Sequence, residues 1–111
     1  MPIDLRTKKL AKLIVDYSVF VKQGENVIIS GGTEAESFIS AIYKEVILRG
    51  AHPILRISPP GLTGFFYKHA KKHQIEKFPD TFDYVVKSSQ KYIGIDTTDN
   101  SKALTSVNPK K

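Results

Sequence analysis

Between Gly24 and Ile57 the chain carries its most constraining feature, two short apolar runs flanking one well-marked amphipathic helix. Val27-Ile28-Ile29 does not alternate with polar residues, which is the pattern of a strand buried on both faces. Thr33-Glu34-Ala35-Glu36 follows with the spacing of a capping box, in which the Thr33 hydroxyl and the Glu36 carboxylate satisfy reciprocal backbone donors. Ala35, Phe38, Ile39, Ile42, Val46 and Ile47 then make one apolar stripe at helical period. Gly50 stops that helix as a left-handed C-cap, and Pro53 opens a second strand, Ile54 to Ile57. Strand, helix and strand in this order imply a parallel pair joined by a crossover helix.

The flanks extend the alternation. Asp4 caps a first helix running to about Tyr17, with Leu10, Leu13, Ile14 and Tyr17 inward and Lys8, Lys9, Lys12 and Asp16 outward. Gln23-Gly24-Glu25 reads as a turn, and Ser58-Pro59-Pro60-Gly61 as a rigid loop. A third helix, from about Leu62 to Lys72, places Leu62, Phe65, Phe66 and His69 on one face. After Pro79 a further helix carries Phe82, Val85, Val86 and Ser89 at the same spacing, and Tyr92-Ile93-Gly94-Ile95 makes a third strand. Asp99 or Asn100 caps a last short helix near Ser101 to Leu104.

The expected fold class is therefore α/β: a small parallel three-layer α/β/α (Rossmann-like) sheet of about three strands, with helices on both faces. Residues 1–111 are enough for one core and form a single α/β domain. About three strands is below the usual 4–6, so the domain is expected to continue past this chain.

Composition narrows the function classes. A hydrophobic share of 41% and a charged share of 25% fit an ordered globular chain. No apolar run approaches the ~20 residues of a membrane span, and Met1-Pro2-Ile3-Asp4-Leu5 lacks a secretory core. Cysteine is absent, which removes disulfides and thiolate chemistry and suits a cytoplasmic location. The net charge of +6 invites a nucleic-acid reading. Its lysines are scattered, however, from Lys8, Lys9 and Lys12 to Lys68, Lys71 and Lys72, and arginine, the residue of bidentate phosphate contacts, is the minority. A solvated surface with no nucleic-acid and no membrane partner is the better reading. Many Lys and Ile residues with no Cys and one Met also fit a thermophile.

Ligands of open parallel sheets collect beyond the carboxyl ends of the strands. Those ends are Ser30-Gly31-Gly32-Thr33, Ser58-Pro59-Pro60-Gly61 and Asp96-Thr97-Thr98. The first resembles an anion-binding turn but matches neither dinucleotide nor P-loop spacing, and Glu34 and Glu36 would repel a phosphate. A tight strand-to-helix turn explains it more simply. His69 and His73 stand four apart on the expected third helix, as in half of a zinc-protease motif. Ala70 replaces the Glu that would serve as base, there is no obvious third ligand, and His69 continues the apolar stripe. His52, before Pro53, has no recognisable partner. Asp96, Asp99 and Glu34 could converge, but capping and turn roles account for each. No catalytic, cofactor-binding or metal-ligating residue is assigned in this chain.

Several stretches, taken in order, resemble the amino-terminal region of the thermophilic metalloaminopeptidases, the aminopeptidase T and aminopeptidase S type. They are Leu10-Ala11-Lys12-Leu13 through Tyr17-Ser18, Val21-Lys22-Gln23-Gly24-Glu25-Asn26-Val27, and Glu34-Ala35-Glu36 with its helix. Arg49-Gly50-Ala51-His52-Pro53, Pro60-Gly61-Leu62 leading to Phe66-Tyr67-Lys68-His69-Ala70, and the tail from Asn100 to Pro109 complete the set. The resemblance implies a cytosolic exopeptidase that removes amino-terminal residues with a two-metal centre of zinc, cobalt or manganese. It also implies that the Glu, His and Asp ligands, with a catalytic Glu and Tyr, lie in the carboxyl-terminal half, and none of those motifs has a counterpart here. The chain is then expected to be the non-catalytic amino-terminal part. Its partners would be the carboxyl-terminal catalytic domain, peptide substrates met through that domain, and further copies of itself. The alternatives are a stand-alone module binding a small anion at Gly31-Gly32, or a self-associating structural fragment.

Overall fold

The computed structural model describes residues 5–77 and 79–95, and 106–107 as backbone. The first helix, α1 (Leu5–Leu13), runs into a wider π-turn over Ile14–Ser18, where the Val19 N–H reaches back to the Ile14 carbonyl at 2.8 Å. Ala11, Ile14 and Val15 face the core, while Leu10, Leu13 and Tyr17 are exposed, so the expected stripe is displaced around the helix. Two features set the displacement. The small Ala11 lets α1 lie close on α2 (Glu36–Leu48). Asp16, expected outside, is mostly covered and bonds Lys12 at 3.1 Å and Arg49 at 3.2 Å, tying the end of α1 to the end of α2. The expected Asp4 cap lies outside the described residues.

Three strands run parallel, β1 (Asn26–Gly32), β2 (His52–Ser58) and β3 (Lys91–Gly94), in the spatial order β2-β1-β3. Val27 registers with Pro53 on one side and Lys91 on the other. A two-residue strand, β4 (Ser106–Val107), adds antiparallel to β3, beyond the three strands expected from the sequence. The strands alternate their side chains between two faces. Val27 and Ile29 join Ile39, Ile42 and Val46 of α2, with Ala11 and Val15, in the core. Ile28 points to the other face, where α5 (Asp80–Lys87) places Phe82 beneath the Arg56 guanidinium at 3.7 Å. Helices thus cover both faces, as the strand pattern requires.

Two local expectations fail. The capping box does not form: Thr33–Ala35 make a 3₁₀ turn, with Gly32 extended and no side-chain cap bond. The Glu36 N–H, which the Thr33 hydroxyl should receive, instead bonds the Thr33 carbonyl, so α2 starts at Glu36. The expected third helix is two, α3 (Leu62–His69) and α4 (Lys72–Glu76), parted at Ala70 with ψ 149°. The Gln74 side chain accepts from the Lys71 N–H at 2.8 Å, a local bond that starts a new helix instead of prolonging the old. Neither helix buries a residue. Gly50 does take the left-handed conformation, φ 81°, and the Ala51 N–H returns to the Val46 carbonyl at 3.2 Å. The helix expected near Ser101 to Leu104 lies outside the described residues. Among those described, no helix is long and apolar enough to cross a membrane.

Candidate functional site

β1 sends its connection over one face of the sheet, and the chain returns from β2 to β3 over the other. The carboxyl ends of β1 and β3 therefore flank the switch point where open α/β sheets keep their crevices. The two strand ends are joined by the Ile95 N–H on the Ser30 carbonyl at 2.9 Å and by Ser30 Oγ with the Tyr92 hydroxyl at 2.7 Å. A cavity of about 330 Å³ opens there, lined by Ser30 to Gly32, Glu34, Arg56 and Ser58, and by Gly61 and Thr63 at the start of α3.

The two glycines of the turn are explained by close approach. A Cβ at Gly31 would stand 2.9 Å from Ile39 Cδ1 and 3.3 Å from the Ile95 carbonyl oxygen, so this glycine lets α2 and the strand end meet. A Cβ at Gly32 would strike the carboxylate of Glu34, which folds back over the turn. The place a bound anion would need is occupied by the chain's own negative group. Across the cavity the Arg56 guanidinium rests over the Phe82 ring, so one cation and one carboxylate face the same space. Acid–base catalysis by carboxylates needs a pair whose pKa values are driven apart. The companions expected for Glu34, Asp96 and Asp99, lie outside the described residues.

The histidines are dispersed. His52 opens β2 at the amino end of the sheet, with its N–H on the Glu25 carbonyl at 2.8 Å. His69 ends α3 with its ring 4.5 Å from that of Phe65, and His73 belongs to α4, so the break at Ala70 separates the pair that sequence spacing put on one helix. His69 is exposed, not the packing residue its stripe implied. Among the described residues no three His, Asp or Glu side chains gather where they could hold a metal ion.

At the opposite end of the sheet, Glu25 and Lys91 form an ion pair at 3.0 Å that also holds the Phe20 carbonyl at 3.1 Å. Burial pushes the Glu25 carboxyl up, but the Lys22 N–H and the Lys91 ammonium outweigh it and hold it below its ordinary 4.5. In the sequence Glu25 belongs only to the Gln23-Gly24-Glu25 turn. The signal available was a Glu just before β1 and a Lys opening β3, which a parallel register brings together. A second cavity, of about 490 Å³, lies between α2 and β2 and is mainly apolar, with Ile39, Tyr43, Leu55 and Ile57 in its wall. It holds no arrangement suited to bond chemistry.

Three comparisons with known proteins bear on this geometry. The profile of the thermophilic metalloprotease (M29) family matches residues 3–111. Among curated proteins none matches. Among solved structures, the chain is similar to wild-type AmpT from Thermus thermophilus, with a TM-score of 0.64 and 17% identity, over 84% of this chain and 25% of that one. The structural likeness at that identity shows a shared fold, and the chain spans a quarter of the length of AmpT. The family match bears out the resemblance seen in the sequence. The metal that the family's description implies is not matched by a ligand set among the described residues. The chain belongs to the thermophilic metalloprotease family.

Proposed function

We propose that this member of the thermophilic metalloprotease family is the amino-terminal, non-catalytic α/β domain of a metal-dependent aminopeptidase that releases amino-terminal residues from peptides. The observation that carries the reading is a mismatch of extent. The family profile runs across residues 3–111, yet the structural match, over 84% of the chain, spans a quarter of AmpT, and no metal-ligand cluster gathers among the described residues. Residues 1–111 then act as one cytoplasmic domain, without catalytic, cofactor-binding or metal-ligating side chains of their own. The zinc, cobalt or manganese of such an enzyme would be held by residues outside this chain. The domain's part is to wall the substrate cavity and exclude longer peptides, with the crevice at Gly31, Arg56 and Gly61 as its shaped end. The Glu34 carboxylate over Gly32 argues against a stand-alone anion module.

Hydrolysis of an aminoacyl chromogenic substrate, with cobalt or zinc added, tests the reading. The chain alone should give no turnover, and supplying the catalytic portion of a family peptidase should give it. Metal-dependent turnover by the chain alone that survives repurification, and that is lost in a His69→Ala, His73→Ala variant, would overturn it.

A further inference from the structure

At their carboxyl ends the strands present two unlike faces, and the two-residue period of a strand sets them. Ile29 and Gly31 turn to α2, where a Cβ at Gly31 would meet Ile39. Ser30 and Gly32 of β1, with Arg56 and Ser58 of β2, turn to the other face, that of Tyr92 and Phe82. Register sets Ser30 beside Arg56 and Gly32 beside Ser58, and Thr63 of α3 completes the wall. One face therefore ends in core, and the other ends in hydroxyls, a guanidinium and a bare glycine.

Two charges enter this polar space from different elements. The Arg56 guanidinium lies 3.7 Å from the centre of the Phe82 ring. An arginine held over an aromatic ring keeps the edge of its planar fork for a carboxylate. Among the described residues no carboxylate takes that edge. Glu34 comes from the turn after β1 and folds its carboxylate over Gly32. Gly32 is in register with Ser58, two residues past Arg56, so Gly32 and Arg56 stand about 8 Å apart on the diagonal.

We propose that this crevice binds a zwitterionic α-amino acid with a short side chain, its carboxylate on Arg56 and its ammonium on Glu34. Charge selects the class. A bare anion is drawn by Arg56 and repelled by Glu34, and a bare amine meets the reverse. Only a molecule carrying both charges gains from both groups. An α-amino acid carries them on one carbon, and the Ser58 and Thr63 hydroxyls can donate to its remaining carboxylate positions. The Glu34 carboxylate has about four acceptor positions on two oxygens, so the contacts it makes within the chain do not use it up. Size selects the side chain, because about 330 Å³ lies at the lower end of the ~300–1,000 Å³ of small-molecule pockets. The proposal does not rest on the peptidase reading: its test reads neither turnover nor metal, so either can fail alone.

Calorimetric titration of the 111-residue chain with L-alanine, with circular dichroism to verify folding, decides it. L-Alanine should bind at one site with a Kd of about 1 mM or tighter. Acetate and ethylamine, which each carry one of its charges, and inorganic phosphate should bind at least roughly tenfold more weakly. Both charged positions are exposed, so neither substitution empties the core. Arg56→Gln should weaken L-alanine about tenfold. Glu34→Gln should do the same while strengthening phosphate, a reversal of ligand class that a merely structural role would not produce. Should Glu34→Gln not fold, Arg56→Gln carries the test. Absence of L-alanine binding by the folded chain would overturn the proposal. So would phosphate held by the parent as tightly as L-alanine, or L-alanine binding that neither substitution weakens.

Discussion

The helix at Glu36–Leu48 and the helix at Leu62–His69 each carry an apolar stripe, yet only the first is covered. Ile39, Ile42 and Val46 are at or below 2% exposure, while Leu62 and Phe65 are more than half exposed. Periodicity states which face of a helix is apolar; whether another surface meets that face is decided elsewhere. α2 returns over β1 because a crossover must bring the chain back to a parallel neighbour, and α1 closes it from outside. α3 starts after Pro59-Pro60-Gly61, beyond the strand ends, with Gly61 at φ 89°. It lies where the core of the described residues does not extend.

Side-chain truncation separates the two helices most directly. Ile42→Ala should cost about 2–5 kcal/mol in denaturant unfolding, since it empties volume from a closed core. Phe65→Ala, a larger deletion, should stay within about 0.5 kcal/mol of the parent. Similar losses from the two would mean that α3 packs as α2 does.

Glycines distinguish the same two helices at a smaller scale. Gly31→Ala forces a methyl against Ile39 and should lose about 1–3 kcal/mol by overpacking. Gly64→Ala, inside α3 with nothing within 4 Å of the new atom, should gain about 0.5–1 kcal/mol from helix propensity. Melting curves of the two variants should move in opposite directions. A loss at Gly64 would place an unseen surface against α3.

Much of the finished region was legible in the sequence. The unalternating Val27-Ile28-Ile29 run, the Ile39–Ile42–Val46 stripe and Gly50 each reported a backbone or burial demand that one local rule covers. What escaped depended on competition. Thr33 fits a capping box, but its carbonyl took the Glu36 N–H first. Leu10 and Tyr17 outweigh Ala11 in hydrophobicity, but Ala11 is the residue that lets two helices approach. His69 and His73 share a helical spacing that holds only if Ala70 stays helical. Glu25 and Lys91 are 66 residues apart and meet only through the sheet register.

The smallest expected effect concerns that last pair. Glu25 sits below its ordinary 4.5 in the folded chain, so its contribution is present at neutral pH and is lost as pH falls below 4.5 through the folded value. Glu25→Gln should flatten the acid limb of the stability curve and leave its slope above pH 5 unchanged. An unchanged acid limb would remove Glu25 from the groups that set it.

On the proposed reading this domain supports a metallopeptidase without holding the metal. Calorimetric titration of the 111-residue chain with zinc, cobalt and manganese tests it without relying on turnover. No stoichiometric binding tighter than the weak association of single exposed side chains is expected. One equivalent bound at submicromolar affinity, and lost in the His69→Ala, His73→Ala variant, would contradict it.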